Sequence, residues 1–326
     1  MMAEKRRPRE EAASAWRHRH LLDLESLSEG EIRTILRVAK GYGEAATARA
    51  RSAPALAGRT VVNLFWEPST RTRISFRLAA RRLSAEVVDF AAESSSARKG
   101  ESLLDTARTI IAMGVDALVV RHPTAGAPHS LAEGVGEAVS VINAGDGAHA
   151  HPTQGLLDLH TILERLCRED LEGLRVGIVG DIAHSRVARS DICAFRKFGA
   201  DLVLAGPQAL VPESFRERGL EIRHSLDEVL PELDVLCLLR IQRERLDEEL
   251  LPSLEEYARH FCMSAGRLKR AREDLLILHP GPMNRGIEID PEVADGPHSL
   301  ILTQVTHGLA VRMAVLTLTL GGERSS

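Results

Sequence analysis

Aromatic residues are scarce in this 326-residue sequence, since phenylalanine, tryptophan and tyrosine together make up only 3% of it. We therefore expect no surface that stacks the bases of single-stranded nucleic acid. An excess of positive charge is also absent: the formal net charge is −4 and the sequence pI is about 6.4, so no nucleic-acid partner is predicted. No apolar run approaches the roughly 20 residues that span a bilayer, so we predict no membrane association.

Cysteine and lysine are also rare. The cysteines form no CxxC pair and all lie in or beside apolar stretches, so we predict reduced core thiols and a cytoplasmic protein. The four cysteines are Cys167, Cys193, Cys237 and Cys262. Only five of the 42 basic residues are lysines, which draws attention to Lys99 in a small polar loop. The first residues are charged and lack the apolar core of a secretory signal, so residues 1–17 are predicted to form a mobile extension.

Short apolar runs alternate with longer helical patterns along the chain, which predicts an α/β protein with parallel sheets. The predicted strands are Thr60–Trp66, Val87–Phe90, Ala117–Arg121, Ser140–Ala144, Arg175–Gly180, Asp201–Ala205, Glu221–Arg223, Asp234–Arg240 and Leu275–His279. The predicted helices include Arg73–Leu83, Ser102–Met113, Pro152–Cys167 and Ser185–Phe198. The chain length and the position of the helix that begins at Pro152 predict two doubly wound domains joined by that helix.

The predicted domain boundaries follow from this order of elements. We expect a first domain over residues 18–151 and a second over residues 152–302. The last segment is strongly apolar and helical in pattern. Residues 303–326 are therefore expected to form a C-terminal helix that packs back on the first domain and completes it.

Polar and cationic residues follow several predicted strands, at the edge where open α/β sheets bind their ligands. They are Ser69–Thr72, Arg121, His151, Gln154, Arg186, Arg240, Gln242 and the Gly281-Pro282 pair. The segment Ser69-Thr70-Arg71-Thr72 opens a helix, where backbone N–H groups, hydroxyls and a guanidinium together can bind phosphate. A helix cap followed by a solvated arginine is the structural alternative for this segment. His151 likewise has the alternative of a helix-capping or core histidine.

Two familiar kinds of site are not predicted. His149 and His151 are spaced as metal ligands can be, but no third ligand lies at a supporting spacing, so we predict no metal. Gly177 and Gly180 follow a strand, yet Asp181 stands where a dinucleotide-binding glycine turn would continue. We therefore predict that the protein uses no cofactor.

Seven short motifs occur in a fixed order along the chain. They are S-T-R-T-R, S-S-x-x-K-G-E, R-H-P, H-P-T-Q, G-D-x-x-x-x-R, R-x-Q-x-E-R and H-P-G-P. Taken together, this set resembles the aspartate and ornithine carbamoyltransferases, and the likeness runs from about Arg19 to Gly321. It implies the two-domain α/β fold predicted above.

Within this family the sequence is similar to the members that use aspartate. Ornithine-using members typically carry H-C-L-P and S-M-G motifs, whereas this chain has His279-Pro280-Gly281-Pro282 and no S-M-G. The resemblance implies transfer of the carbamoyl group of carbamoyl phosphate to the α-amine of L-aspartate, an early step of pyrimidine biosynthesis. N-carbamoyl-L-aspartate and phosphate would form without a covalent enzyme intermediate. An ornithine-using enzyme and a non-catalytic scaffold are the two alternatives.

The resemblance also assigns roles to individual residues. The implied carbamoyl phosphate ligands are Ser69, Thr70, Arg71, Thr72, Arg121, His151, Gln154 and the carbonyls of Gly281 and Pro282. The implied catalytic residues are Arg71, Thr72, Arg121 and His151, and the implied aspartate ligands are Lys99, Arg186, Arg240 and Gln242. In this family a loop carrying Ser95 and Lys99 enters the neighbouring subunit's site, which implies a homotrimer. Regulatory chains or a dihydroorotase are left open as further partners.

Overall fold

The computed structural model describes residues 16–47, 54–91, 101–241 and 253–321. The chain divides into two compact units. The first ends at Leu157 and is completed by the residues from Thr306 onward, and the second spans Asp158–Val305. Both divisions fall a few residues later than the predicted ones, inside helices. A helix continues across each division, so the helical pattern of the sequence does not mark the point where packing changes.

The first unit contains a four-stranded sheet in the order β2-β1-β3-β4, with all strands parallel. The strands are β1 (Thr60–Phe65), β2 (Glu86–Ala91), β3 (Ala117–His122) and β4 (Ser140–Asp146). Buried side chains of the strands, such as Leu64, Val120 and Val141, form the centre of its core. Parallel strands are covered on both faces of the sheet, so nearly every side chain of a strand is buried. This explains why the strands appear in the sequence as continuous apolar runs.

Five described helices accompany this sheet. They are α1 (Glu29–Gly41), α2 (Gly43–Thr47), α3 (Thr70–Arg82), α4 (Leu103–Ile111) and α5 (Ala127–Val135), and a 3-10 turn follows at Gly136–Ala138. Ser28 begins α1 with a capping box to Glu31, and the Ser102 hydroxyl accepts from the Asp105 N–H at 3.1 Å to begin α4. The next helix, α6 (Pro152–Leu166), begins with proline at its first position, as the sequence predicts.

The second unit contains a five-stranded parallel sheet in the order β7-β6-β5-β8-β9. Its strands are β5 (Arg175–Val179), β6 (Asp201–Ala205), β7 (Glu221–Arg223), β8 (Val235–Leu238) and β9 (Leu276–Leu278). Its described helices are α7 (Arg186–Lys197), α8 (Ser214–Glu217), α9 (Leu226–Val229), α10 (Leu254–Phe261), α11 (Ala265–Leu268) and α12 (Pro291–Ala294), with 3-10 turns at Gln208–Leu210 and Leu230–Glu232. Every predicted strand is thus found, and the prediction of two parallel-sheet α/β domains is confirmed.

The last helix, α13 (Ile301–Leu320), packs on the first unit from Thr306 onward, as predicted. Tyr42 and Thr317 share a hydrogen bond of 2.9 Å, Ser140 donates to the Thr319 carbonyl at 3.0 Å, and Arg312 donates to Ser75 at 2.8 Å. By length and composition alone α13 could cross a membrane, which corrects the expectation that no apolar segment is long enough. Its apolar stretch is 67% buried inside the protein.

The cysteine prediction is right for two residues and wrong for a third. Cys237 and Cys262 are buried, Cys193 is half-buried, and Cys167 is exposed. Cys167 follows directly after α6, where its backbone takes a positive φ of 53°. Leu163, one turn earlier in α6, is buried, whereas Cys167 lies beyond the last residue of the helix and is exposed.

Candidate active site

In each sheet, the predicted arginines lie at the two strands where the chain reverses its direction of winding. In the first unit this reversal lies between β1 and β3; Ser69–Thr72 follow β1, and Arg121 lies near the carboxyl end of β3. In the second unit it lies between β5 and β8, and Arg186 and Arg240 follow those strands. Such switch points leave a crevice at the carboxyl edge of a sheet, where α/β proteins bind ligands.

The turn between β1 and α3 leaves the helix start open toward a ligand. Ser69 occupies the N-cap position, but its side chain makes no capping hydrogen bond, and the first turn contains no acidic residue. Thr70 and Arg71 are exposed, and Thr72 is buried. The helix-cap alternative for Ser69 is therefore not what the structure contains. The unsatisfied N–H groups and the positive end of the helix dipole favour an anion at this position.

Arg121 is the penultimate residue of β3, and its guanidinium donates to two acceptors. One terminal nitrogen donates to the Ala144 carbonyl at 3.0 Å, and the other donates to a Glu67 carboxylate oxygen at 3.1 Å. Glu67 belongs to the turn after β1, and the Trp66 N–H also donates to the Arg121 carbonyl at 2.8 Å. The guanidinium is therefore fixed beside the turn that precedes α3. Glu67 was not predicted as a site residue.

The loop between β4 and α6 is organised around a fully buried carboxylate, Asp146. One of its oxygens accepts from the Asn143 side chain at 2.8 Å and the Ala150 N–H at 3.1 Å. This loop delivers His151, only 4% exposed, to the start of α6, where its carbonyl accepts from the Gln154 N–H at 2.8 Å. Both predicted residues, His151 and Gln154, are buried at the carboxyl edge of the first sheet.

The second unit places its two predicted arginines after β5 and β8. Arg186 is the first residue of α7 and only 4% exposed, and the preceding Ser185 caps that helix by accepting from the Ala188 N–H at 3.1 Å. Arg240 is half-buried and follows β8. Because Arg186 and Arg240 each carry a positive charge, this pair is compatible with a ligand that carries more than one negative charge.

A fully buried glutamate, Glu288, ties the ends of β8 and β9 together. Its carboxylate accepts from the Ile241 N–H at 2.8 Å, next to Arg240, and from the Asn284 N–H at 2.6 Å. Its second oxygen also lies 3.2 Å from His279 Nε2. Since His279 Nδ1 accepts from the Gly281 N–H at 2.8 Å, its Nε2 carries the proton and donates to Glu288.

The turn after β9 contains the predicted Gly281 and Pro282. Gly281 has a φ of +63°, a left-handed conformation that favours glycine, and the bond to Pro282 is cis. Gly281 is half-buried and Pro282 is exposed. The backbone conformation gives a physical reason for glycine at position 281.

A second buried chain of hydrogen bonds reaches the same turn. The His279 N–H donates to the side-chain oxygen Oε1 of Gln304 at 3.0 Å, and Gln304 Nε2 donates to an Asp158 carboxylate oxygen at 2.6 Å. Burial and the adjacent Asp158 carboxylate raise the pKa of Asp191 well above its usual range. Asp191 and Asp158 therefore form a buried pair of carboxyl groups.

Three predicted residues, Ser95, Lys99 and Gln242, lie outside the described residues. Conversely, the supports Glu67, Glu288, Gln304 and Asp158 were not identified from the sequence. Glu288 sits between two isoleucines and Asp158 in an apolar helix, so a buried acidic residue in an apolar segment was the available signal.

Two family descriptions together match nearly the whole described chain. Residues 19–164 match the carbamoyl-P binding domain of aspartate/ornithine carbamoyltransferase, and residues 172–319 match the Asp/Orn binding domain. The chain belongs to the aspartate/ornithine carbamoyltransferase family. The predicted resemblance is thereby confirmed.

Relatives within this family are similar over almost their full length. The chain is 51% identical over 316 residues to the aspartate carbamoyltransferase catalytic subunit of Rhodopirellula baltica, covering 94% of this chain and 92% of that one. It is 52% identical over 307 residues to the corresponding subunit of Salinispora arenicola, covering 93% of this chain and 98% of that one.

Solved structures of the family share the fold. Aspartate transcarbamoylase from Trypanosoma cruzi, in complex with carbamoyl phosphate and aspartate, has a TM-score of 0.83 and 30% identity, covering 94% of this chain and 98% of that one. Ornithine carbamoyltransferase from Pyrococcus furiosus has a TM-score of 0.81, 30% identity and the same coverage. Because both enzymes share this fold, the fold alone does not decide between the two amine substrates.

Proposed function

We propose that the chain transfers the carbamoyl group of carbamoyl phosphate to the α-amine of L-aspartate, giving N-carbamoyl-L-aspartate and phosphate. Relatives at about half identity over more than nine-tenths of the chain are named aspartate carbamoyltransferase catalytic subunits, which supports aspartate over ornithine. The reaction is the early step of pyrimidine biosynthesis implied by the sequence.

One structural observation carries this proposal. Each parallel sheet has arginines at its own switch point, Arg71 and Arg121 in the first unit and Arg186 and Arg240 in the second. Two cationic sites fit two anionic substrates, a phosphate ester and a dicarboxylate. Ornithine carries one carboxylate and a second amino group, so it offers a partner to only one of the two arginines of the second unit.

Carbamoyl phosphate is bound by the first unit in this proposal. Its phosphate lies against the start of α3, where Ser69, Thr70 and Thr72 supply hydroxyls and Arg71 supplies a forked donor. Arg121 bridges toward the carbamoyl oxygen, in an orientation that Glu67 supports at 3.1 Å.

L-Aspartate is bound by the second unit in this proposal, with one arginine for each carboxylate. Arg186 and Arg240 hold the two carboxylates, and the buried Glu288 keeps the segment after Arg240 in place through the Ile241 N–H. Gln242 and Lys99 are the further aspartate ligands implied by the family resemblance.

The chemistry needs no protein nucleophile, because carbamoyl phosphate is already activated. The neutral α-amine attacks the carbamoyl carbon and forms the new C–N bond, and a tetrahedral oxyanion develops. Thr72, Arg121 and His151 donate hydrogen bonds to that oxyanion. The C–O bond to phosphate then breaks, and the departing phosphate accepts the proton of the amine. Alignment of two mutually repelling anions is the other contribution of the protein.

A product analysis tests this proposal. The full-length chain is incubated with carbamoyl phosphate and L-aspartate, and N-carbamoyl-L-aspartate is quantified by mass spectrometry beside released phosphate. We expect equimolar amounts of the two products. Phosphate release without N-carbamoyl-L-aspartate would contradict the proposal.

We also propose that the chain forms a homotrimer in which Ser95 and Lys99 complete the active site of a neighbouring subunit. Besides the family resemblance, an exposed apolar patch supports an interface on the first unit. It consists of Ile74 and Leu78 of α3 and Val88 of the edge strand β2, which are 40–52% exposed. An ion pair between Arg77 and Asp89 (3.1 Å) joins these two elements.

Mixing two inactive variants tests the shared site. Lys99→Ala and Arg121→Ala are each expected to be nearly inactive, and equal amounts of the two are dissociated and reassembled. Random assembly pairs an intact Arg121 with an intact Lys99 of a neighbour at about a quarter of sites, so about a quarter of parental activity should return. Activity that stays at the single-variant level after verified subunit exchange would rule out sharing.

We further propose that the protein acts in the cytoplasm. All four cysteines are free, and two of them, Cys237 and Cys262, are buried. Unpaired buried thiols are typical of reducing compartments. Fractionation of cells that express the tagged chain tests this location.

A further inference from the structure

A cluster of three potential metal ligands lies in the first unit, outside the residues assigned to the reaction. His129 of α5, Asp146 at the end of β4 and His149 of the following loop each offer one ligand atom, and these atoms lie within 4.8 Å of one another. The sequence around His149 and His151 offers no third ligand at a supporting spacing, which is why no metal is predicted from it. In the structure His129 of α5 lies near His149, and His151 is not part of the cluster.

The protonation of His129 is fixed by a carboxylate on its far side. His129 Nε2 lies 2.8 Å from an oxygen of Asp23, so Nε2 carries the proton and donates it. His129 Nδ1 is then a lone-pair acceptor, and within the described part of the chain this buried nitrogen has no hydrogen-bond partner. A carboxylate that orients a histidine in this way is a common outer-shell feature of metal-binding histidines.

The acidic member of the cluster is held in place by its surroundings. Asp146 is fully buried, and one of its oxygens accepts from the Gly126 N–H at 2.7 Å and lies 3.0 Å from His149 Nδ1. The rings of His129 and His149 meet edge to face, with centroids 5.4 Å apart. A buried carboxylate and two imidazoles therefore share one small region.

We propose that His129, Asp146 and His149 bind a divalent transition metal ion of the zinc class, with water at the fourth position. Two imidazoles and one carboxylate are a usual ligand set for zinc. Tetrahedral coordination places ligand atoms about 3.3–3.5 Å apart. Because the side chains of His129 and His149 are 33% and 37% exposed, rotations of the two rings can close the cluster around the ion.

The ion would tie α5 to the loop that leads to His151. It takes no part in the carbamoyl transfer proposed above, and the inference does not depend on that reaction. The expected consequence is therefore zinc-dependent stability, since an ion that binds the folded state alone raises its stability.

The second unit contains a matched pair that lacks the third ligand. Asp181 and His184 have the same spacing as Asp146 and His149, and His184 Nδ1 also lies 3.0 Å from the carboxylate. Asp181 is buried and His184 is 37% exposed, as for the first pair. Among the residues that the structure describes, no second histidine joins this pair in a potential metal cluster. His184→Gln is therefore a control for loss of an Asp-paired histidine.

The experiment titrates Zn²⁺ into the metal-stripped full-length chain by calorimetry and follows Co²⁺ by its visible spectrum. We expect one saturable site per chain, a tetrahedral Co²⁺ spectrum and a higher midpoint of thermal unfolding with zinc. His129→Gln and His149→Gln should abolish that site, and His184→Gln should leave it intact. Asp23→Asn, which keeps all three ligands, should weaken zinc binding by about 10- to 100-fold.

Several results would overturn the proposal. They are a parent chain without saturable zinc binding, equal zinc affinity in the parent and in both His129→Gln and His149→Gln, and an equal loss in His184→Gln. If His129→Gln does not fold, Asp23→Asn decides the matter, because unchanged zinc affinity in that variant contradicts the role of His129 Nδ1.

Discussion

Both units place arginines at the carboxyl edge of a parallel sheet, but the surroundings of these arginines differ between the two units. In the first unit the helix start at Ser69–Thr72 is open, and Arg121 is held by the partly exposed Glu67 at 3.1 Å. In the second unit Arg186 is buried, and the segment after Arg240 is fixed by the fully buried Glu288. A phosphate can be bound largely by backbone N–H groups and hydroxyls, whereas two carboxylates at a set separation need guanidinium groups in fixed positions.

The largest effect on activity is expected from a substitution in the first unit, at a residue proposed to contact the reacting carbamoyl group. His151→Ala removes one preorganised donor to the oxyanion, which commonly lowers kcat by about 10²–10³. Steady-state kinetics measure this, and thermal unfolding checks that the variant is folded. A parental kcat would return His151 to the role of a buried histidine at the start of α6.

Arg240→Lys tests the second unit. It keeps the charge and loses the planar fork, so the KM for aspartate should rise by about 10- to 150-fold, the equivalent of one charge-assisted hydrogen bond. Carbamoyl phosphate binding should change little. Arg259→Lys, an exposed arginine of the same unit, is the control and should leave both constants at parental values. An unchanged KM for aspartate in Arg240→Lys would refute the assignment.

Substitution of the two supporting glutamates, Glu288 and Glu67, allows a direct comparison of the two units. Glu288→Gln should raise the KM for aspartate by about tenfold, because a fully buried acceptor of several hydrogen bonds is altered. Glu67→Gln should raise the KM for carbamoyl phosphate by no more than about fivefold, as expected for a partly exposed ion pair. The reverse order of effects would show that the first unit is the more rigidly supported one.

The smallest effect concerns stability and its pH dependence. The pKa of Asp191 is raised by burial and by Asp158, so the folded chain keeps a proton that an unfolded aspartate loses above about pH 4. Stability from this group is therefore lost as pH rises toward the folded pKa. Asp191→Asn should raise the unfolding midpoint by about 2–4 °C per kcal/mol recovered, and more at pH 8 than at pH 5. An equal shift of the unfolding midpoint at both pH values would contradict the raised pKa of Asp191.

Local patterns were enough to predict the strands and the residues that follow them. Apolar runs predict β1 and β5, and the switch-point rule then selects Arg121 and Arg186. The supports could not be predicted, because they join residues far apart in the chain. Glu288 meets Ile241 across 47 positions, and Gln304 meets Asp158 across 146.

The ligand set proposed for the metal ion could not be predicted from the sequence for the same reason. His149 and His151 are neighbours in sequence, but adjacent side chains in a turn do not share a direction, and His129 reaches the cluster only through the packing of α5 beside β4. The spacing of residues along the chain therefore predicts a metal site well when all ligands come from one segment. It predicts a site poorly when the ligands come from segments far apart in the sequence.

The central claim is that the second unit selects a dicarboxylate. The most direct measurement is kcat/KM with carbamoyl phosphate and either L-aspartate or L-ornithine, in the parent and in Arg240→Lys. We expect turnover with aspartate alone and a lower kcat/KM for aspartate in the variant. Turnover of ornithine by the parent at a rate equal to or above that of aspartate would contradict it.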